Sequence, residues 1–176
     1  MNLRRLKGGT LNIELLSEKY LVRRITEADV SEVVALCKGN PLYYEHCPPF
    51  VTQESVNRDR VALPVGKTKE DKYYLGFFKD ESLIAVMDLI TGYPDSEVAF
   101  IGFFMMDQRW QGKNIGTEII TEVCQYLKEV GFIRVSLGYA KGNAQSEVFW
   151  LKNHFEKTGL EKQAEGYISV YMQRWL

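Results

Sequence analysis

A chain of 176 residues with 45% hydrophobic and 26% charged residues can bury one sizeable core, which excludes a disordered or fibrous protein. Its net charge of −1 excludes general electrostatic capture of nucleic acid or of an anionic membrane surface. No apolar run reaches the roughly 18–20 residues of a membrane span. The start, MNLRRLKGGT, carries basic residues with no apolar stretch behind them, so no signal peptide is expected and residues 1–10 read as a loose extension of one domain. Cys37, Cys47 and Cys124 are unpatterned, and His46 and His154 stand alone. Reduced thiols, a cytoplasmic location and no metal site follow as expectations.

The elements follow in order. Residues 20–25 (YLVRRI) alternate as a strand. Thr26-Glu-Ala-Asp29 is a capping box for a helix whose apolar face is Val30, Val33, Val34 and Cys37, closed by Gly39-Asn40-Pro41. Residues 42–50 set two tyrosines, Glu45, His46 and Cys47 before paired prolines, which reads as a binding loop or as a rigid packed connection. A second helix is expected from Thr52 to about Leu63. Gly66-Lys67-Thr68 imitates the tail of a phosphate loop, but Val61 stands where its first glycine belongs, so that reading is discarded. Residues 73–78 and 83–90 form strands around the turn 79–82, and a turn at 91–96 leads onward in an antiparallel meander.

The organising stretch is 98–131. Its first nine residues, VAFIGFFMM, hold seven large apolar side chains and no charge, as in a central strand covered on both faces. Ile115, Ile119, Ile120, Val123 and Leu127 then recur at helical spacing up to the stop at Gly131. Between strand and helix lie Arg109, Gly112, Lys113 and Gly116. Helix N-terminal N–H groups, glycines that admit close approach and two cations suit a phosphate or pyrophosphate. An ordinary strand–helix turn is the plain alternative. Residues 133–137 then form a strand parallel to the central one, reached by a right-handed crossover. A helix capped by Asn143 runs to about Glu156, and a hairpin closes the chain around Glu165-Gly166. The fold class is α/β, with a mixed, mostly antiparallel sheet and helices on both faces.

Gln111-x-x-Asn114-x-Gly116 resembles the Q/R-x-x-G-x-G/A signature of the GNAT superfamily of acyl-CoA-dependent N-acetyltransferases, with Asn114 for the middle glycine. Asparagine is the non-glycine residue best suited to a left-handed backbone. Asn143-Ala-Gln-Ser146-Glu-Val-Phe149-Trp150-Leu-Lys-Asn-His-Phe155 resembles that family's second cofactor segment, N-x-x-S/A-x-x-F-Y/W-x-K-x-G-F. The resemblance spans about residues 20–176. It implies acetyl-CoA as acyl donor and no metal. The pyrophosphate would lie on the backbone of Gln111, Gly112, Lys113, Asn114, Ile115 and Gly116, with Thr117 nearby. The pantetheine would pair with the backbone of Phe104, Met105 and Met106. Asn143, Ser146 and Trp150 belong to the same implied cofactor set.

The implied reaction is direct attack of a neutral amine on the thioester, with a backbone N–H of the central strand steadying the oxyanion. Histone-modifying relatives carry a glutamate where Phe100 stands here. Asp88, a lone acid ending an apolar stretch, is the first substitute as general base, and Glu45 and Glu97 follow; an ion-paired carboxylate is the plain alternative for each. Trp150 fills the place of a tyrosine that often protonates the leaving thiolate, so Tyr139, or a tyrosine of the 43–44 pair, substitutes, or the thiolate leaves unassisted. An acyl-cysteine at Cys47 is a minor route with no evident base. The implied function is acetyl transfer to a primary amine of a small molecule or protein. Alternatives are a non-catalytic acyl-CoA-binding regulatory module and, more distantly, a nucleotide-binding protein. No nucleic-acid or membrane partner is expected. The acceptor and the oligomeric state, including a homodimer, stay open.

Overall fold

The structure, a computed structural model, describes residues 9–176. The expected loose start therefore lies almost wholly outside the described residues. Strand β1 (Leu21–Arg24) leads into α1 (Val30–Lys38), α2 (Pro41–His46) and α3 (Gln53–Val61). Strands β2 (Lys72–Lys79), β3 (Ser82–Thr91) and β4 (Val98–Met106) follow. After them come α4 (Ile115–Glu129), β5 (Arg134–Ala140), α5 (Ala144–Lys152), β6 (Glu156–Ala164) and β7 (Tyr167–Trp175). They build a seven-stranded sheet in the order β1-β2-β3-β4-β5-β7-β6. Among the described residues only the β4–β5 pair is parallel. This is the expected mixed, mostly antiparallel GNAT-like α/β fold.

Period-two alternation sorts the sheet's side chains between two layers. Tyr73, Leu75, Phe77, Met87 and Ile101 pack with Ile119, Ile120, Val123 and Leu127 of α4. Tyr74, Phe78, Val86 and Met105 pack on the other face with Val30, Val33, Val34 and Cys37 of α1. Both helices thus bury the stripes that their spacing predicts.

The capping box forms as expected. The Asp29 carboxylate accepts from Thr26 N at 2.7 Å and takes a two-pronged contact from the Arg23 guanidinium, each bond 2.8 Å. That guanidinium holds the Asp29 carboxyl well below the usual carboxylate range. The stabilisation is therefore present above the ordinary carboxylate pKa near 4 and fades as pH falls through the depressed one. Asp29→Ala is expected to cost about 1–2 kcal/mol at neutral pH. Urea melts of both proteins at pH 7 and pH 3 check this, and the gap must shrink in acid.

Three local expectations change. Residues 42–50 are not simply a loop: Pro41, which ends α1, occupies the first turn of α2, where its missing N–H costs nothing. The second cofactor-segment helix stops at Lys152 rather than near Glu156. His154, standing where the family motif has glycine, is left-handed at φ 65°, and His154 N and Phe155 N bond back to the carbonyls of Leu151 and Trp150. Strand β4 is not covered along its whole length: Gly102 is exposed, and Phe100, Phe103 and Phe104 are half-buried.

Candidate active site

The opening on β4 begins where its parallel partner leaves it. The β4–β5 ladder runs from Val98↔Arg134 to Ile101↔Leu137 and stops. Beyond that point β5 continues against β7 and β4 against β3. Among the described residues, one edge of 102–106 is left without a strand partner. The divergence coincides with a β-bulge: Leu89 faces Ile101 and Asp88 faces Phe103, so Gly102 is the extra residue. Glycine is required there, because a Cβ at 102 would stand 2.8 Å from Asp88 Oδ2.

At the far end of that edge sits the N-terminus of α4. Gly112 and Asn114 are left-handed, at φ 70° and 64°, as their residue types predict. The N-cap residue of α4, Asn114, makes no side-chain capping bond, whereas Thr52 caps α3 and Asn143 caps α5. The first-turn N–H groups of Ile115, Gly116 and Thr117 thus lack intrahelical partners and an N-cap side chain. A Cβ on Gly112 would meet nothing within 4 Å, so this surface lies open. Gln111 has a structural job: its Nε2 donates to Met106 O at 3.0 Å and to Asn40 Oδ1 at 2.6 Å, tying the loop to the end of β4. Arg109 is bound to Asp107, with bonds of 3.0 and 2.8 Å, and its side chain stays largely exposed. Exposed Lys113 lies 5.3 Å from the Trp110 ring. Lys152 on α5 donates to Asn114 Oδ1 at 3.1 Å, which brings the two family segments together.

Gly116 is buried beneath Phe149, whose ring a Cβ would meet at 3.1 Å, and Phe149 stacks on Phe104 with centroids 5.9 Å apart. Met105 and Met106 point into the two core layers, so only their backbone can serve a ligand. Trp150 is buried against Phe104, Phe149 and Phe155, which makes it a core residue. Buried Asn143 spends its side-chain oxygen on Ser146 N at 3.1 Å, and Ser146 is half-buried in the first turn.

On the opposite side of β4 a cavity of about 560 Å³ is walled by α2, α3, the sheet and the β6–β7 turn. Asp88 lies on its wall. Its Oδ2 accepts from Lys72 Nζ at 2.7 Å, and both residues are buried. Its Oδ1 is buried without a partner among the described residues. Burial raises the Asp88 pKa, Lys72 opposes the rise, and Asp59 adds to it. The ion-paired alternative for Asp88 is therefore realised, with one oxygen left over. Sequence reasoning missed Lys72. The signal was available: it begins β2 and Asp88 lies near the end of β3, away from the charged turn at 79–81, and the hairpin register sets the two diagonally.

Of the remaining acid and base candidates, Tyr43 and Tyr44 line the same cavity, and Glu45, Glu97 and Tyr139 do not. Glu45 is exposed on α2 and outside the cavity lining, and Glu97 is exposed ahead of β4. Tyr139 is buried on β5 and donates its hydroxyl proton to Glu147 Oε2 at 2.8 Å. Burial and this carboxylate raise its pKa. Cys47 lines the cavity and is half-buried. Among the described residues no helix is long and apolar enough to cross a membrane, and no group of three or more acidic, cysteine or histidine residues could hold a metal ion.

The sequence and the fold have counterparts among known proteins. The Acetyltransferase (GNAT) family profile matches residues 36–155, and the chain belongs to that family. Solved structures share the fold at low identity. An acetyltransferase from Thermus thermophilus has a TM-score of 0.72 and 19% identity, covering 90% of this chain and 97% of its own. A Salmonella typhimurium acetyltransferase that modifies the N-terminal serine of ribosomal protein L7/L12 has a TM-score of 0.72 and 18% identity, covering 92% and 97%. The PaiA N-acetyltransferase from Thermoplasma acidophilum, solved with coenzyme A, has a TM-score of 0.64 and 18% identity, covering 89% and 99%. No curated protein matches by sequence.

Proposed function

We propose that the protein is an N-acetyltransferase that moves an acetyl group from acetyl-CoA to a primary amine of a small molecule or protein. One observation carries this reading: β4 leaves its parallel partner after Ile101, so that the edge of residues 102–106 runs unpaired from the cavity that Asp88 and Gly102 line to the uncapped terminus of α4. Bound acetyl-CoA supplies an activated acyl thioester. The N–H groups of residues 115–117, with open Gly112 and exposed Lys113, suit its pyrophosphate. The free edge of residues 102–106 suits the amide-bearing pantetheine, and an N–H on that edge suits developing negative charge on the acyl oxygen.

The acceptor amine must lose a proton. At pH 7 the neutral form of an alkyl amine costs roughly 4–5 kcal/mol. Asp88 Oδ1 is the base in this reading, and Lys72 holds the other oxygen and favours the ionised acid. The ammonium first gives one proton to solvent; the neutral nitrogen then attacks, and as the amide bond forms and the C–S bond breaks a second nitrogen-bound proton passes to Asp88. The thiolate leaves without a donor, because thiols are acidic enough and the Tyr139 proton is committed to Glu147. Glu45 takes no part. As proposed, the enzyme is a one-domain, cytoplasmic protein that needs no metal. The fate of Tyr139 and Trp150 gives the non-catalytic acyl-CoA-binding module its support. Release of free CoA from acetyl-CoA, followed with a thiol reagent across a panel of amines, separates the two: turnover is expected, and tight binding with no release from any amine would favour the module.

A further inference from the structure

The cavity beside Asp88 has a composition that narrows the acceptor. Its walls include the rings of Tyr43, Tyr44, Tyr74, Phe103 and Tyr167. Several meet edge to face: Tyr43 with Tyr44 at 5.0 Å between centroids, and Tyr43 with Phe103 at 5.6 Å. Such faces attract an ammonium group and pack a flat or apolar body.

The charges around the cavity are almost balanced. Among the described residues its lining holds two cations, Arg58 and Lys72, and three carboxylates, Asp59, Asp88 and Glu165, an excess of one negative charge. Each cation is already paired, Arg58 with Asp59 at 3.3 Å and Lys72 with Asp88 at 2.7 Å. Lys72 is buried in its pair, and Arg58 shares its exposed charge with Asp59. One negative charge in excess suits one ammonium group, and a polycation would bring charges that nothing there balances.

The cavity is also shut along one flank. The β6–β7 turn abuts the α2–α3 connection, where a Cβ on Gly166 would stand 3.0 Å from Pro48 Cγ. A polypeptide acceptor needs a trough along which its chain can leave, and this contact closes the hairpin side. The volume falls within the range of pockets that enclose a small molecule.

We propose that the acceptor is a small primary amine with a single positive charge and an aromatic or otherwise apolar body, held with its nitrogen toward Asp88 Oδ1 and its body among the cavity rings. This rests on the acetyltransferase reading above. The test compares 2-phenylethylamine, spermidine and a short peptide with a free N-terminus, using the full-length protein. Two readouts are taken: CoA release, and amine binding to the CoA-bound protein by calorimetry. 2-Phenylethylamine is expected to exceed both others in affinity and in kcat/KM by at least about 30-fold. Glu165→Gln and Tyr167→Leu should each weaken its binding several-fold while the affinity for CoA alone stays as it was. Preferred binding or turnover of spermidine or the peptide overturns this inference and leaves the acetyltransferase reading standing. Tight binding of 2-phenylethylamine without CoA release would overturn the acceptor assignment together with the catalytic reading on which it rests.

Discussion

Asp88→Asn is expected to lower kcat by about 100- to 10,000-fold with acetyl-CoA affinity unchanged, the range seen when a positioned general base is lost. The ionised carboxylate is the active form. Burial raises its pKa above the ordinary range, so the wild-type rate should climb with pH through that elevated value. The Asn variant should lose that limb. Lys72→Met removes the opposing charge and should push the limb to higher pH, and Lys72→Arg should restore it. The linkage sign separates this from unfolding. A carboxyl whose folded pKa is raised adds stability below its unfolded pKa and loses it as pH rises through the folded value. Activity and this stability contribution therefore move in opposite directions in acid. Breaking the buried pair leaves Lys72 uncompensated, at a cost of roughly 3–5 kcal/mol. A Lys72→Met, Asp88→Leu double variant, which removes both charges, keeps the test readable if the single variant unfolds. A folded Asp88→Asn protein with the wild-type rate–pH profile would exclude Asp88 as the base.

Gly116→Asp should weaken acetyl-CoA binding by about 100-fold or more, equivalent to roughly 2.7 kcal/mol. Gly116 is the second residue of α4, within the uncapped first turn. A negative side chain there is favourable for the helix itself, because it meets the positive end of the helix dipole. That offsets part of the cost of placing a carboxylate at buried Gly116, and the charge opposes a phosphate directly. The new Cβ would stand 3.1 Å from the Phe149 ring and 3.5 Å from Met106 Cγ, so Phe149 must give way slightly. Gly116→Ala carries that same crowding without the charge, and the difference between the two variants isolates the electrostatic part. Titration calorimetry with acetyl-CoA measures both. An unchanged Kd in folded Gly116→Asp protein would place the diphosphate elsewhere.

The two cofactor segments were legible from residue type because their geometry is local. Asn114 and Gly112 announce left-handed backbone, and Asn143 announces a cap. The α2 helix and the early stop at His154 were harder. Pro41 both ends one helix and begins the next, and a histidine took a conformation that usually signals glycine. The side chains of Arg109 and Gln111 have partners that residue order alone does not show, Asp107 for one and Asn40 with Met106 for the other.

Apolar periodicity, caps and turn residues act over a few positions, so strand order along the chain, the α4 core stripe and the glycine–asparagine loop could all be read from residue order alone. The site depended on register instead. The bulge that expels Gly102, the parting of β4 from β5 after Ile101, and the meeting of Lys72 with Asp88 across 16 residues are properties of strand alignment. A one-residue slip would turn the same side chains to the opposite face of the sheet. Only the folded sheet could decide that Asp88 keeps one oxygen buried and unpaired.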